Sequence, residues 1–180
     1  LTMTAVCASA GLTERYFYES FRNRDALLTS IFDEVSDEWF TVLRATLAPP
    51  DREPGVIPTS QELRERASAG LGVIVDALTA DPRKARLFTE AMGHDALRRR
   101  RTERLGELAA LLSELLQDTF ELRDPRQLER LKLAMLVIVG GMADAGASWL
   151  SGEIALSRED FIDESARLCV AAAETIRATP

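Results

Sequence analysis

Histidine and cysteine are nearly absent from this chain of 180 residues, which holds one His and two Cys. Cys7 and Cys169 stand near opposite ends in no metal-like spacing, which excludes a disulfide framework or zinc knuckle and fits a reducing compartment. With His94 as the sole imidazole, neither a Glu-x-x-His metal set nor a nucleophile with a histidine base and orienting acid can be assembled. No catalytic residue, metal ligand or cofactor is expected, and the chain reads as a non-enzyme. Long apolar runs are missing too: Leu133–Ala143 stops short of the ~18 residues that suggest a membrane span. Leu1–Ala10 lacks the basic run of a signal peptide, and the Gly11-Leu12 turn interrupts the segment before it could serve as an apolar leader core. The expectation is a soluble, cytoplasmic protein with no membrane partner. Positive charge is in short supply, with Lys+Arg 22 against Asp+Glu 29 and a net charge of -7, which on its own argues against phosphate binding. The deficit is not uniform: residues 1–24 hold three Arg and two Glu, so the acidity belongs to the remainder.

What the sequence does have is helical periodicity almost everywhere and strand patterning almost nowhere. Leu27, Leu28, Ile31, Phe32, Val35, Trp39, Val42, Leu43 and Leu47 form one stripe, giving a helix near 23–48 that Pro49-Pro50 ends. Residues 49–58 contain four of the seven prolines and read as a linker. Leu63, Ala67, Leu71, Ile74 and Leu78 predict a helix near 59–80. Asp81-Pro82 caps a short helix ending near Gly93, and Leu105, Leu108, Leu112, Leu115 and Leu116 mark another to about Phe120. Asp124-Pro125 opens a long helix to about Leu150, and Ser157 with Asp160 opens a last one to about Arg177. The fold class is all-α, with no internal repeat.

Residues 133–147 are apolar or small on every side, apart from Asp144, and such a helix must be covered on every side. One face can pack on its own core and the other on a second copy, with Gly140, Gly141, Ala145 and Ala172 permitting close approach. The expected homodimer interface therefore pairs 125–150 with 158–177, through Val137, Gly140, Gly141, Ala145, Phe161, Leu168, Ala172 and Ile176. The alternative is a central core helix in a monomer.

The first twenty-five or so residues carry the chemistry. Thr2 can cap a short helix containing Ala5, Val6 and Ala10; Gly11 supplies an unusual backbone turn, and Thr13 caps a second helix. Such a helix, tight turn and helix is the arrangement in which a second helix enters the major groove. From Ala5-Val6 through Leu27 the segment resembles the DNA-binding region of the TetR family of transcriptional regulators. The matching residues are Ala10-Gly11-Leu12-Thr13, Phe17-Tyr18-x-x-Phe21, the basic Arg24, and Ala26-Leu27-Leu28. Trp149-Leu150-Ser151-Gly152, followed by Leu156 through Phe161, is also similar to the join between the last two helices of many members.

The resemblance implies a helix-turn-helix DNA-binding domain with its connecting helix over 1–48, followed by an effector-binding and dimerisation domain over 49–180. It implies a homodimer on double-stranded operator DNA, released by a small apolar or amphipathic effector. Carried over by position, Thr2 would contact a phosphate; Thr13, Arg15 and Tyr16 would face the groove; Tyr18 and Arg24 would hold backbone phosphates. Phe17 and Phe21 would pack inside the small domain. Trp39, Phe88, Met92, Met135, Val139, Met142 and Trp149 would line the effector pocket. The family pattern also leads one to expect a further helix before Leu1. Arg15 and Tyr16 replace positions that are often small, Ser20 stands where an aromatic or His is common, and Arg24 replaces a frequent Lys, so no operator sequence is implied. The alternative is an all-helical dimeric ligand-binding or interaction protein that does not bind DNA.

Other charged groups read as surface. Arg98-Arg99-Arg100-Arg101 with Arg104 points around a whole helix and is expected to be a solvated start paired with acids such as Glu103 and Glu107. Asp33, Glu34, Asp37 and Glu38 are expected to be a solvent face, and His94 a loop or surface residue. Asp144, an acid in an apolar helix, needs an effector, an arginine or rim water.

Overall fold

The computed structural model describes residues 2–48 and 56–178. The linker expected at 49–58 lies mostly outside these residues. Among the described residues the protein is all-α, with eight α-helices, one 3₁₀ turn and no strand. The helices are α1 (Met3–Ala10), α2 (Glu14–Ser20), α3 (Arg24–Leu47), α4 (Ser60–Ala80), α5 (Pro82–Glu90), α6 (Asp95–Thr119), α7 (Pro125–Leu150) and α8 (Arg158–Ala178). The 3₁₀ turn, Ala91–Gly93, joins α5 to α6.

The boundaries come from capping chemistry. The Thr2 hydroxyl accepts the Ala5 N–H at 3.3 Å, and Gly11 ends α1 at φ 68, a left-handed angle that suits a residue without Cβ. Asn23 accepts the Ala26 N–H at 2.9 Å to start α3. Thr59 and Glu62 form a reciprocal capping box at α4. Asp81 and Asp124 cap α5 and α7, each followed by proline in the first turn. Asp160 N–H donates to the Ser157 hydroxyl at 3.0 Å where α8 begins. Thr13 stands at the N-cap of α2 in extended backbone but makes no side-chain capping bond, so α2 starts without that expected support.

The most extensive pairings are α4 on α8, α6 on α7, and α3 on both α4 and α6. The largest core joins α4, α6, α7 and α8 through Leu63, Ala109, Leu131, Met135, Val139, Val170 and Ala173, among others. A second cluster places Phe32 of α3 against Ala91, Leu97 and Phe88. A third joins Val75, Phe161 and Ile162, with Trp149 stacked on Phe161 at 5.1 Å. The α1–α2 pair is tied together by Leu12 N–H to Cys7 O at 2.9 Å and by the Thr4 hydroxyl donating to Glu14 at 2.7 Å. Phe17 is buried there and meets Phe21 at 5.6 Å between ring centroids, the packing role expected of both.

Several expectations change. Helix α6 begins at Asp95, so the arginine run does lie at a helix start, but Arg100 and Arg104 pair across helices instead of facing water. Helix α7 is not covered on every side in the single chain: Leu133 and Val137 are 64% and 65% exposed, beside exposed Gly141. Leu168 of α8 is also exposed, and no atom lies near where a Cβ would stand on Gly140 or Gly141. Phe161 and Ile176, expected at a dimer interface, are instead buried in the chain's own cores; Ala145 packs against the Phe161 cluster, and Ala172 is half-buried. Helix α7 is also long and apolar enough to cross a membrane by length and composition, since one window averages 1.6 in hydropathy. An unbroken apolar run, which Asp144 ends, does not register this average.

The packing has two measurable outcomes. Phe32 has no exposed surface, so Phe32→Ala lowers unfolding free energy by about 3–5 kcal/mol in urea titrations. Asp81 is held at about 2, below its ordinary 3.8, by the side chain and then the backbone N–H of Arg83. A carboxylate with a depressed folded-state pKa contributes fully above its unfolded value and loses that contribution as pH falls through the folded one. The stability gap between the wild type and Asp81→Ala is therefore constant above about pH 4 and closes towards pH 2, read by denaturant melts at each pH.

Candidate nucleic-acid interface and central cavity

Helix α2 buries Phe17 and turns its polar residues outward. Thr13, Arg15, Tyr16 and Tyr18 are all exposed, and Arg15 pairs with Glu19 at 3.0 Å on the same helix. Such a surface pair is worth about 0–1 kcal/mol, so a phosphate can displace the carboxylate at little cost. Thr2 is exposed, although its hydroxyl is engaged as the cap of α1. The exposed groups are the donors suited to phosphate and base edges: two phenols, hydroxyls and a guanidinium.

Arg24, the first residue of α3, reaches back to the body of the protein. Its Nη2 lies 3.3 Å from His94 Nε2, and the same ring nitrogen lies 3.4 Å from Asp25 Oδ1. His94 is thus no free loop residue; it is half-buried at the N-cap of α6, between a guanidinium and a carboxylate. Its Nδ1 is buried and finds no hydrogen-bond partner among the described residues. Spacing along the chain gives no sign of this contact, which joins residues seventy positions apart.

Behind α3 lies a cavity of about 300 Å³ enclosed by α3, α4, α5, α6, α7 and α8. Trp39, Phe88, Met135, Val139, Met142 and Trp149 all line it, as expected of them; the Met92 side chain lies outside the described residues. Trp39 stacks on Phe88 at 4.3 Å and Phe88 meets Phe32 at 4.5 Å, closing the end nearest the 3₁₀ turn. The rest of the wall is aliphatic, including Leu43, Leu47, Leu71, Leu105, Leu108 and Leu112. The cavity volume lies at the lower end of small-molecule sites.

Arginines seal the side facing α6. Arg104 and Arg101 are each only 12% exposed and line the cavity with their stems. Burial disfavours the Arg104 charge, yet bonds to Glu107 at 2.8 Å and Asp33 at 3.1 Å raise its pKa above the ordinary guanidinium range. Asp37 adds a contact at 2.9 Å. Arg100 also pairs with Asp33, Glu103 and Glu107, and its pKa is raised chiefly by the Asp33 bond. Of the α3 acids expected to face solvent, Glu34, Asp37 and Glu38 are exposed and Asp33 is half-buried, and from this face Asp33 and Asp37 pair with α6 and Glu38 with Lys84 of α5. The arginine run pairs with Glu103 and Glu107 as expected, but Arg100, Arg101 and Arg104 are cross-helix clamps rather than a solvated patch. Asp144 resolves to the arginine option, meeting Arg101 at 2.6 Å.

Cys169 reaches the cavity, but burial pushes its thiol above its ordinary value, so it stays protonated and weakly nucleophilic at neutral pH. Among the described residues no cluster of His, Cys, Asp or Glu is arranged to hold a metal ion.

Comparisons with family models, with curated proteins and with solved structures found no match.

The arginine clamp has a measurable consequence. Replacing Arg104 by Met leaves Asp37 without its partner and Asp33 and Glu107 with Arg100 alone, and lowers stability by about 1–3 kcal/mol. Because the remaining repulsion is between partly exposed charges, raising ionic strength narrows the gap to wild type in urea titrations.

Proposed function

We propose that this chain is a transcriptional regulator of TetR type, a repressor that binds operator DNA as a cytoplasmic homodimer and lets go when a small molecule enters the cavity. One observation carries the reading: Thr13, Arg15, Tyr16 and Tyr18 stand together in the open on α2, while Arg24 starts the helix that also lines the cavity. In this reading α1 and α2 are the helix-turn-helix. Helix α2 enters the major groove with Thr13, Arg15 and Tyr16 near the bases, and Thr2, Tyr18 and Arg24 hold phosphates. The exposed Leu133, Leu136, Val137 and Leu168 are the strip that a second copy covers, with Gly140 and Gly141 allowing close approach. No chemical step is involved.

The cluster of Phe32, Phe88, Ala91 and Leu97 supports a route between the two ends. A ligand that moves Phe88 also moves the 3₁₀ turn beside it, and with that turn His94 and its hold on Arg24. The coupling is then differential contact of one ligand with two placements of α5. The thin positive charge of residues 1–24 favours a second reading, a dimeric ligand-binding protein that never meets DNA.

A mobility-shift titration of the protein against DNA from upstream of its own gene separates the two. A salt-sensitive complex is expected, and Arg24→Ala weakens it on every sequence while lowering the salt slope by about one unit. Absence of any salt-sensitive complex removes the regulator reading and leaves the second.

A further inference from the structure

Resting on the reading of the central cavity as a ligand site, we infer that its ligand is uncharged and predominantly hydrocarbon, and that the wall rejects anionic and cationic molecules of the same shape. The inference comes from the hydrogen-bond state of the polar side chains in the lining. The Ser36 hydroxyl donates to Phe32 O at 2.7 Å, Thr119 to Leu115 O at 2.6 Å, and Thr89 to Arg86 O at 3.2 Å, each within its own helix. Arg66 donates to Leu47 O, Arg101 to Asp144, and Arg104 to Asp33, Asp37 and Glu107. The Cys169 thiol is held protonated by burial. Trp149 Nε1 likewise donates to Leu156 O at 2.9 Å. The hydroxyls, the arginines and one indole of the wall are thus engaged within the protein, and the indole N–H of Trp39 is left as an uncharged donor.

A ligand carboxylate or sulfonate entering this space would shed its water and find no waiting counter-charge, a large penalty for a buried ion. To capture it, Arg101 or Arg104 would have to leave a carboxylate behind in turn. A cation fares no better, since the charged side chains of the lining are Arg66, Arg101 and Arg104, with the acids behind them, and the rest of the wall is chiefly aliphatic and aromatic. An uncharged hydrocarbon meets none of these costs and regains the dispersion contacts that the void lacks. Entry is open at one side. A groove between α4, α5 and α7 shares Leu78, Thr89, Ala147 and Leu150 with the cavity, and α5 carries no buried residue to lock it shut.

Both tryptophans of the chain, Trp39 and Trp149, line the cavity, so their emission reports occupancy directly. The test titrates the full chain with two dyes on one skeleton: N-phenyl-1-naphthylamine, which is neutral, and 8-anilino-1-naphthalenesulfonate, which adds one sulfonate. The neutral dye is expected to quench tryptophan emission with an affinity about tenfold or more above that of the anionic one. Val139→Phe fills the lining and abolishes that quenching; Met142→Phe serves the same end if the first variant loses its helical circular dichroism. Equal affinities, or tighter binding of the sulfonate, with both signals lost in the filled variant, overturn the charge exclusion and leave the cavity standing as a ligand site. Quenching by neither dye, or quenching that the filled variants retain, overturns the ligand-site reading and this inference with it.

Discussion

The stack of Phe88 on Trp39 and Phe32 is the contact on which the rest of the molecule depends. Helix α5 has no fully buried residue, so this ring stack and the Lys84–Glu38 pair are what hold it to α3. The stack closes one end of the cavity and supports the 3₁₀ turn that sets His94 at the start of α6. Through His94 it reaches Arg24, the residue that begins α3 and borders the exposed polar face of α2. One cluster of rings thereby touches both the space a small molecule can enter and the surface proposed to meet DNA.

Charge is organised around the same helix. The chain is acidic overall; of its acids on α3, Asp33 is half-buried against Arg100 and Arg104, while Asp37 and Glu38 stay exposed as they pair with Arg104 and Lys84. A small excess of positive charge, three arginines against two glutamates, lies in residues 1–24. A strongly acidic body and a weakly basic end orient the molecule on a polyanion by repulsion as much as by attraction. In the proposed reading such a surface would draw on paired copies and on helix N-termini for much of its hold on phosphate.

Most helix limits were legible because they are written locally. Asp81-Pro82, Asp124-Pro125, Ser157 with Asp160, and Gly11 each decide their own turn through bonds spanning three or four residues. The cavity lining was legible through the family resemblance, and six of its seven named residues do line one space. Contacts between distant helices were not. Nothing near Arg100 announces Asp33, and nothing near His94 announces Arg24, because ion-pair partners across a bundle leave no periodic trace. The same limit explains Phe161 and Ile176. Their spacing fits an apolar face of α8, but only packing decides that this face turns towards Val75 and Leu63 while Leu168 stays outside. A resemblance over one short segment names a family's habits, and the burial of each side chain then has to be read from the fold.

The decisive measurement is the affinity of the chain for its upstream DNA at fixed salt, with and without a saturating neutral ligand shown by tryptophan quenching to occupy the cavity. If the ring stack couples the two ends, occupancy weakens DNA binding by about 5–150-fold, the usual span of allosteric coupling, and DNA weakens the ligand by the same factor. An affinity for DNA that is unchanged by a filled cavity contradicts the coupling, whatever each site binds on its own.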